Sequence, residues 1–202
     1  MPGPKRYDRA YFDRWYRDPR HRVAQGGVLE RRVQLAVAAA EFVLERPIRN
    51  VLDVGCGEAP WRAMLLHARP GVRYLGVDSS EYVVRRFGRS RNIRLGAVGA
   101  LGDMTIGGPF DLIVCSDVLH YVATAELKRG LCAMAGKLAG VAFLEVYPRE
   151  DDTIGDDQDY RRRSASSYRR WFRAAGLIPL GLHCYAGRAL ADGLGALERA
   201  GR

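Results

Sequence analysis

Two aspartates and two glycines in the first half of the chain have the spacing of a nucleotide-cofactor site. Asp53 comes shortly before Gly55 and Gly57, and Asp78 follows about 20 residues after them. Glycines lack a Cβ atom and allow positive φ angles, so a ligand can lie directly against the backbone at their positions. A carboxylate at the end of the following strand typically accepts hydrogen bonds from ribose hydroxyls. These four residues therefore predict a site for a nucleoside-containing cofactor.

The elements around this loop are those of a doubly wound fold. Val51, Leu52 and Val54 predict a strand that is covered on both faces, as in a parallel sheet. Pro60 suits the first turn of a helix after the loop, and residues 74–78 predict the next strand. A strand, a glycine turn and a helix N-terminus form the first half of such a fold.

The loop does not match a dinucleotide fingerprint. Such a fingerprint has a third glycine where this chain has Pro60, and its backbone amides point at a pyrophosphate. Pro60 has no N–H group, and the carboxylate of Asp53 lies next to where a pyrophosphate would sit. Asp53 can instead help to hold an ammonium group, directly or through water. The pattern therefore favours a cofactor with a positively charged amino acid end.

Three segments resemble the class I S-adenosylmethionine-dependent methyltransferases. Residues 53–57 look like the first motif of that family, and residues 77–79 look like the second. Residues 110–121 are similar to its fourth strand and the segment that follows. The resemblance extends from about Arg31 to Tyr185. It implies an enzyme that uses S-adenosyl-L-methionine as its cofactor.

The resemblance also implies a role for each matching position. The loop from Gly55 to Gly57 would lie under the methionine part of the cofactor, and Asp78 would bind the ribose. Cys56 is interpreted as a small space-filling residue rather than a redox group. Ser116 and Asp117 would border the methionine end. The predicted cofactor contacts are Asp53, Gly55, Cys56, Gly57, Asp78, Ser79, Ala100, Leu101, Ser116 and Asp117.

The adenine-binding segment has two registers. Relatives often place an acid after the third strand, where it meets the adenine amino group. In residues 93–103, one register puts Ala100 at that position and leaves recognition to the backbone around Ala100 and Leu101. The other register uses Asp103. We prefer the first because it keeps the strand short.

His120 is the predicted general base. Methyl transfer from a sulfonium is an in-line displacement with a good leaving group, so alignment of the reactants supplies much of the acceleration. A base is needed only when the acceptor must lose a proton. His120 follows the fourth strand at the edge where α/β sheets bind ligands, and imidazoles exchange protons near neutral pH. The alternative is that His120 packs or forms hydrogen bonds near the cofactor.

Three parts of the chain are candidates for substrate binding. Aromatic side chains in residues 1–30 predict a helix packed on the domain, a lid over cofactor and substrate, or both. Segment 148–164 is long for a connection between a strand and a helix, and such segments are often functional. Glu145 could steer an amine or hydroxyl, or it could be a buried carboxylate paired with an arginine. The predicted substrate contacts are Tyr11, Trp15, Tyr16, Tyr121, Glu145 and Tyr147.

The 202 residues fit one domain, with an N-terminal lid (1–30), a core (31–185) and a tail (186–202). The predicted fold class is α/β, a doubly wound, Rossmann-like and mostly parallel sheet with helices on both faces. Residues 177–185 predict the sixth strand. The tail favours a C-terminal helix, which could replace the final antiparallel strand of the family. The tail or a second subunit of a homodimer would then cover the exposed sheet edge.

Composition excludes several classes of protein. There is no apolar run of about 18 residues and no apolar signal core at the N-terminus, so a cytoplasmic protein without a membrane span is expected. The four cysteines form no C-x-x-C pair and the four histidines show no ligand spacing, which predicts reduced thiols and no metal. The net charge is +9, but arginine clusters alternate with an acidic patch over residues 150–159. That alternation favours a solvated surface over a nucleic-acid face.

The favoured function is methylation of oxygen or nitrogen in a small molecule. The alternative, a methyltransferase acting on RNA or protein, is supported only by the net charge and the arginine clusters. Relatives that methylate exocyclic amines of bases carry an Asn/Asp-Pro-Pro-aromatic segment after the fourth strand, whereas this chain has Ser-Asp-Val-Leu at residues 116–119. A third class, a cofactor-binding module without catalysis, is disfavoured because Asp53, Gly55, Gly57 and Asp78 are all present.

Overall fold

A computed structural model describes residues 5–21, 27–152 and 155–194. Helices and strands alternate through most of this range. The helices are α1 (Arg9–Phe12), α2 (Val28–Leu44), α3 (Pro60–Ala68), α4 (Glu81–Arg91), α5 (Thr124–Lys137) and α6 (Ala165–Ala174). The strands are β1 (Asn50–Val54), β2 (Arg73–Asp78), β3 (Ile93–Leu95), β4 (Phe110–Ser116), β5 (Leu138–Glu145), β6 (Ile178–Gly181) and β7 (Cys184–Ala186). A π-helical turn covers Asp13–Arg17, and 3₁₀ turns cover Val98–Ala100 and Arg188–Leu190.

Within the described residues, the strands form one sheet in the order β3-β2-β1-β4-β5-β7-β6. Strands β1 to β5 pair in parallel, and β7 pairs antiparallel with both β5 and β6. The predicted doubly wound, mostly parallel fold is confirmed. Strand order reverses between β1 and β4, which is where such sheets open a crevice beyond the carboxyl ends of their strands.

The sheet is buried on both faces, as the apolar pattern of its central strands predicts. Successive residues of β1 alternate between the two cores: Val51 belongs to one and Leu52 to the other. Helices α2 to α4 and Phe12 cover the first face, and helices α5 and α6 cover the second. Each fully buried large apolar side chain contributes about 2 kcal/mol. The two cores therefore hold the strand ends, and the loops that follow them, in fixed positions.

The carboxyl-terminal part of the sheet differs from the prediction. Residues 177–185, predicted as a single strand, form the β6–β7 hairpin, so the final antiparallel strand is present. The chain reverses because Gly181, Leu182 and His183 all have positive φ angles, of 97°, 49° and 67°. Because the residues on both sides of this turn are apolar, the sequence resembles one continuous strand and gives no sign of the turn. The predicted C-terminal helix is not seen at residues 188–190, which form a 3₁₀ turn, and residues 195–202 lie outside the described residues.

In the described part of the chain, no helix is both long and apolar enough to cross a bilayer.

Candidate active site

The glycine loop after β1 is fixed by hydrogen bonds to the neighbouring strand. Gly55 (φ 72°) donates its amide hydrogen to the Val77 carbonyl over 2.7 Å. Gly57 (φ 52°) donates to Oδ2 of Asp78 over 2.7 Å, and Ser80 donates its amide hydrogen to Oδ1 over 2.8 Å. A Cβ atom at Gly55 would lie 2.5 Å from the Val118 side chain. The loop therefore needs glycine both for its φ angles and for its close contacts.

Asp53 lies beneath this loop and is almost fully buried, with 2% of its surface exposed. The Tyr74 hydroxyl donates a hydrogen bond to Oδ2 of Asp53 over 2.7 Å. Burial raises the pKa of Asp53 to about 7, although the Tyr74 hydrogen bond acts in the opposite direction. Burial also raises the pKa of Asp78. A cationic group beside Asp53 would stabilise its ionised form.

Cys56 is buried next to Gly76, where an added Cβ atom would lie 2.7 Å from its Sγ. Burial raises the pKa of the Cys56 thiol, which keeps it protonated. These properties match its interpretation as a space-filling residue.

A cavity of about 940 Å³ lies beyond the carboxyl ends of β1, β2 and β4. Most residues that the sequence singled out lie on its wall. These are Asp53, Gly55, Cys56, Gly57, Asp78, Ser79, Ser116, Asp117 and His120, together with Tyr11, Trp15, Tyr16, Tyr121 and Tyr147. Its volume is within the range of sites that enclose a small ligand. The structure therefore brings most of the predicted cofactor and substrate residues to the wall of one cavity.

Ala100 and Leu101 are exceptions. Leu101 is fully buried in the core, and Ala100 is exposed outside the cavity, as is Asp103 of the alternative register. The wall is formed instead by residues 96–99, because β3 ends at Leu95 and the chain turns away from the sheet there. Neither predicted register puts its residue on the wall. The glycines in this stretch were the available signal: a Cβ atom at Gly99 would clash with Glu126 of α5.

Glu145 is the other exception. It is buried but does not lie on the cavity wall. Its Oε1 is 2.5 Å from an Arg32 guanidinium nitrogen, and its Oε2 accepts a hydrogen bond from the Ser116 hydroxyl over 2.5 Å. This geometry matches the alternative interpretation of Glu145, a buried carboxylate paired with an arginine. Glu145 therefore supports Arg32 and Ser116, both of which line the cavity.

We expect Glu145→Ala to lower the free energy of unfolding by about 3 kcal/mol, because removing one partner of a buried ion pair leaves the other uncompensated. The loss is at the low end of the usual range because the Arg32 side chain is 32% exposed and can be hydrated. Urea denaturation measures the change. Glu126→Gln, at an exposed wall position, is the control and should leave stability unchanged. Unchanged stability of Glu145→Ala would contradict the structural role.

His120 lies in a ring of tyrosines and is 2% exposed. Its Nε2 is 3.2 Å from Oδ1 of Asp117, and its Nδ1 has no hydrogen-bond partner among the described residues. The centroids of Tyr121, Tyr147 and Tyr160 lie 4.2, 5.3 and 5.5 Å from that of the imidazole. A buried polar atom without a partner costs about 1–3 kcal/mol. The arrangement thus holds His120 through Nε2, while Nδ1 has a hydrogen-bonding capacity that no described residue uses.

The N-terminal segment crosses the cavity and is attached on several sides. Arg17 donates two hydrogen bonds to the Glu58 carboxylate, over 2.7 and 2.8 Å, and the Ser80 hydroxyl donates to the Tyr7 carbonyl over 2.5 Å. Lys5 forms a 2.5 Å ion pair with Asp156 of segment 148–164. Sequence reasoning missed these contacts. No local pattern identifies a partner that lies so far away along the chain.

In the described residues, no three His, Cys, Asp or Glu side chains are arranged to hold a metal ion.

Comparison with known proteins agrees with this geometry. Residues 52–139 match the family model described as a methyltransferase domain. This match covers less than half of the chain. The matched residues include the end of β1, the glycine loop, Asp78, and β4 with the segment that contains His120. No curated protein matches the chain.

Solved structures share the fold of this chain. An O-methyltransferase family protein from Burkholderia thailandensis is 16% identical with a TM-score of 0.55; the match covers 80% of this chain and 58% of that one. An amino pentose methyltransferase from Micromonospora echinaspora, involved in calicheamicin biosynthesis and bound to S-adenosylmethionine, is 17% identical with a TM-score of 0.61 and coverages of 81% and 92%. A 4+2 cyclase is 20% identical with a TM-score of 0.57 and coverages of 83% and 63%.

These identities are low, so the structures bear on the fold alone. The cyclase has the same fold as the two methyltransferases and is named for a different reaction. The chemistry that this domain carries out must therefore be argued from its own cavity.

Proposed function

We propose that this domain transfers a methyl group from S-adenosylmethionine to oxygen or nitrogen of a small molecule. The observation that carries the proposal is one cavity lined by the glycine loop, Asp78 and His120, whose Nδ1 has no partner among the described residues. The glycine loop and Asp78 offer the backbone and carboxylate groups that suit an aminoacyl nucleoside. The same wall also offers aromatic rings and a nitrogen that can accept a proton.

The residues on the wall fit the cofactor. Asp78 would accept hydrogen bonds from the ribose hydroxyls, since each of its oxygens has a lone pair beyond the one used by a backbone amide. The backbone from Gly55 to Gly57 would lie under the methionine part, and Asp53 would face its ammonium group. When bound, the cofactor supplies a methyl group on a sulfonium, which is a good leaving group.

Side chains of the protein would supply the remaining steps of the reaction. Tyr11, Trp15 and Tyr16 would wall in the acceptor and exclude water, and Tyr121 and Tyr147 would orient it. Nδ1 of His120 would accept the proton that an acceptor hydroxyl or ammonium must lose. We further propose that residues 5–17 act as the lid of a single-domain enzyme.

The alternative acceptor, RNA or protein, is favoured by the net charge of +9. The cavity wall opposes an RNA acceptor, because Asp117, Asp156 and Asp157 would repel a phosphate backbone. Retention on a polyanion resin at physiological salt would favour the RNA alternative.

We expect S-adenosylhomocysteine to raise the melting temperature of the protein by about 5 °C or more when its concentration is about 100 times the dissociation constant. The reason is that it binds the folded chain and not the unfolded one. NAD is the matched control and should give no shift, because Pro60 offers no amide hydrogen where a pyrophosphate would need one. The absence of a shift with both S-adenosylmethionine and S-adenosylhomocysteine would contradict the proposal.

We expect cofactor binding to weaken as the pH falls through about 7. Burial raises the pKa of Asp53 to about 7, so the free protein carries a neutral Asp53 below that pH and an ionised one above it. Only the ionised carboxylate attracts the methionine ammonium. The dissociation constant of S-adenosylhomocysteine should therefore be roughly tenfold higher at about pH 6 than at about pH 8 by calorimetry. Asp53→Asn should bind more weakly than the native protein at about pH 8 and lose this dependence. A slope that persists in Asp53→Asn would assign the titration to another group.

A further inference from the structure

The cavity wall has a charge opposite to that of the protein as a whole. The chain carries a net charge of +9, yet the described residues on the wall include eight acidic side chains and two arginines, Arg32 and Arg161. Arg32 is paired with Glu145, and Arg161 donates a hydrogen bond to the Tyr121 carbonyl. An acidic wall in a basic protein creates a local potential that attracts cations.

One part of the cavity wall, formed by Tyr121 and Asp156, already holds a cation. The Lys5 ammonium lies 3.5 Å from the centroid of the Tyr121 ring and 2.5 Å from Oδ2 of Asp156, and its side chain is 4% exposed. An aromatic face and a carboxylate together are a favourable environment for a desolvated ammonium group. Lys5 therefore shows which ligand chemistry this wall can accommodate.

Asp117 repeats half of this arrangement elsewhere on the cavity wall, but without a cation. No lysine or arginine in the described part of the chain forms an ion pair with it, and its carboxylate contacts His120. The His120 ring packs in turn against the rings of Tyr121 and Tyr147, so Asp117 lies at the edge of an aromatic cluster. Asp117 also has a φ angle of 61°, an uncommon value for a residue other than glycine. The backbone thus holds a carboxylate at this point at some energetic cost.

The unpartnered Nδ1 of His120 is an independent indication of a ligand here. The residue is 2% exposed, lines the cavity and lacks a hydrogen-bond donor for this atom among the described residues. Asp117 faces Nε2, and Nδ1 points to the other side of the imidazole ring, so the two groups call for separate donors on one ligand. An ammonium group would supply the positive charge that suits the Asp117 carboxylate, whereas an alcohol carries no charge.

We propose that the methyl acceptor carries an aliphatic amine, protonated at neutral pH, whose ammonium is held by Asp117 between Tyr121 and Tyr147 beside His120. This inference rests on the proposed function and narrows its substrate class. It concerns the group that is recognised, whether that nitrogen or a neighbouring atom receives the methyl group.

Calorimetry on the full chain saturated with S-adenosylhomocysteine tests the proposal with matched pairs of probes. Phenethylamine is compared with phenethyl alcohol, and cyclohexylamine with cyclohexanol, at about pH 7 and low salt. We expect each amine to bind at least about tenfold more tightly than its alcohol. Asp117→Asn should reduce this preference to less than about threefold. Asparagine tolerates the positive φ angle, so the variant keeps the backbone. Glu126→Gln removes another acid of the cavity wall, one that packs against Gly99, and should keep the preference.

The possible outcomes separate this inference from the proposed function. If S-adenosylhomocysteine binds but amines and alcohols bind equally, or neither amine binds, the amine proposal is overturned while the methyltransferase proposal stands. A preference that survives in Asp117→Asn would also overturn it, because the cation would then be held elsewhere. If S-adenosylhomocysteine itself does not bind, both proposals fail.

Discussion

Asp78→Ala is expected to weaken the binding of S-adenosylhomocysteine by more than about a hundredfold. Hydrogen bonds to a charged group contribute about 1.5–3 kcal/mol each, and Asp78 would offer two to the ribose. The carboxylate also fixes the loop that receives the methionine part, because it accepts the amide hydrogens of Gly57 and Ser80. Calorimetry measures the change. Asp103→Ala, which removes an exposed acid outside the cavity, is the control.

A second comparison separates recognition of the ribose from support of the loop. The native protein should bind adenosine more tightly than dideoxyadenosine, which lacks the two ribose hydroxyls. In Asp78→Ala the two nucleosides should bind equally, whereas a merely loosened loop would weaken both and keep their ratio. Unchanged affinity of Asp78→Ala for S-adenosylhomocysteine would remove its role at the ribose.

The parts of the site that could be predicted from sequence are those that depend on residues close together in the chain. Strands β1, β2 and β4 are largely apolar, and their aspartates lie at the carboxyl ends: Asp53 and Asp78 within the last two residues of β1 and β2, and Asp117 directly after β4. Asp53, Asp78 and Asp117 therefore had to lie at the same edge of a parallel sheet. The glycines of the first loop were recognisable because a ligand and a turn both require them there.

The parts of the site that differ from the prediction depend on contacts distant in sequence. Strand β3 has three residues, too few for an apolar pattern to fix where it ends, so the predicted adenine contacts fall a few residues after those that line the cavity. The path of this segment depends on α5, whose Glu126 packs against Gly99. The pairing of Glu145 with Arg32 joins β5 to α2, and either residue alone is compatible with a surface or catalytic role.

The lid proposal also depends on contacts between residues that are distant in sequence. Aromatic residues near the N-terminus predicted either packing or a lid, and the structure has features of both: Phe12 lies in the core, while Tyr11, Trp15 and Tyr16 line the cavity. The ion pairs of Lys5 with Asp156 and of Arg17 with Glu58 attach this segment to the rest of the domain. Ligand entry would require some of these contacts to open, which is how lids couple binding to the exclusion of water.

His120→Gln is expected to lower kcat by about a hundredfold or more for an acceptor that must lose a proton. The glutamine side chain can still form a hydrogen bond with Asp117, but it has no nitrogen that accepts a proton. The KM values and the affinity for S-adenosylhomocysteine should change by less than about threefold, because the interaction lost is one made mainly in the transition state. Formation of S-adenosylhomocysteine measures turnover. His183→Gln, at an exposed histidine outside the cavity, is the control.

The pH dependence of kcat distinguishes a base from a packing residue. In the native protein kcat should rise with pH, because a base must be free of a proton to accept one, and this rise should be absent in His120→Gln. Asp117→Asn should lower kcat but keep the rise, since Asp117 orients the ring through Nε2 and Nδ1 can still accept a proton. If His120→Gln turns over at a native rate with an unaltered profile, His120 only packs against its tyrosines. Alignment of the acceptor would then account for catalysis without a base.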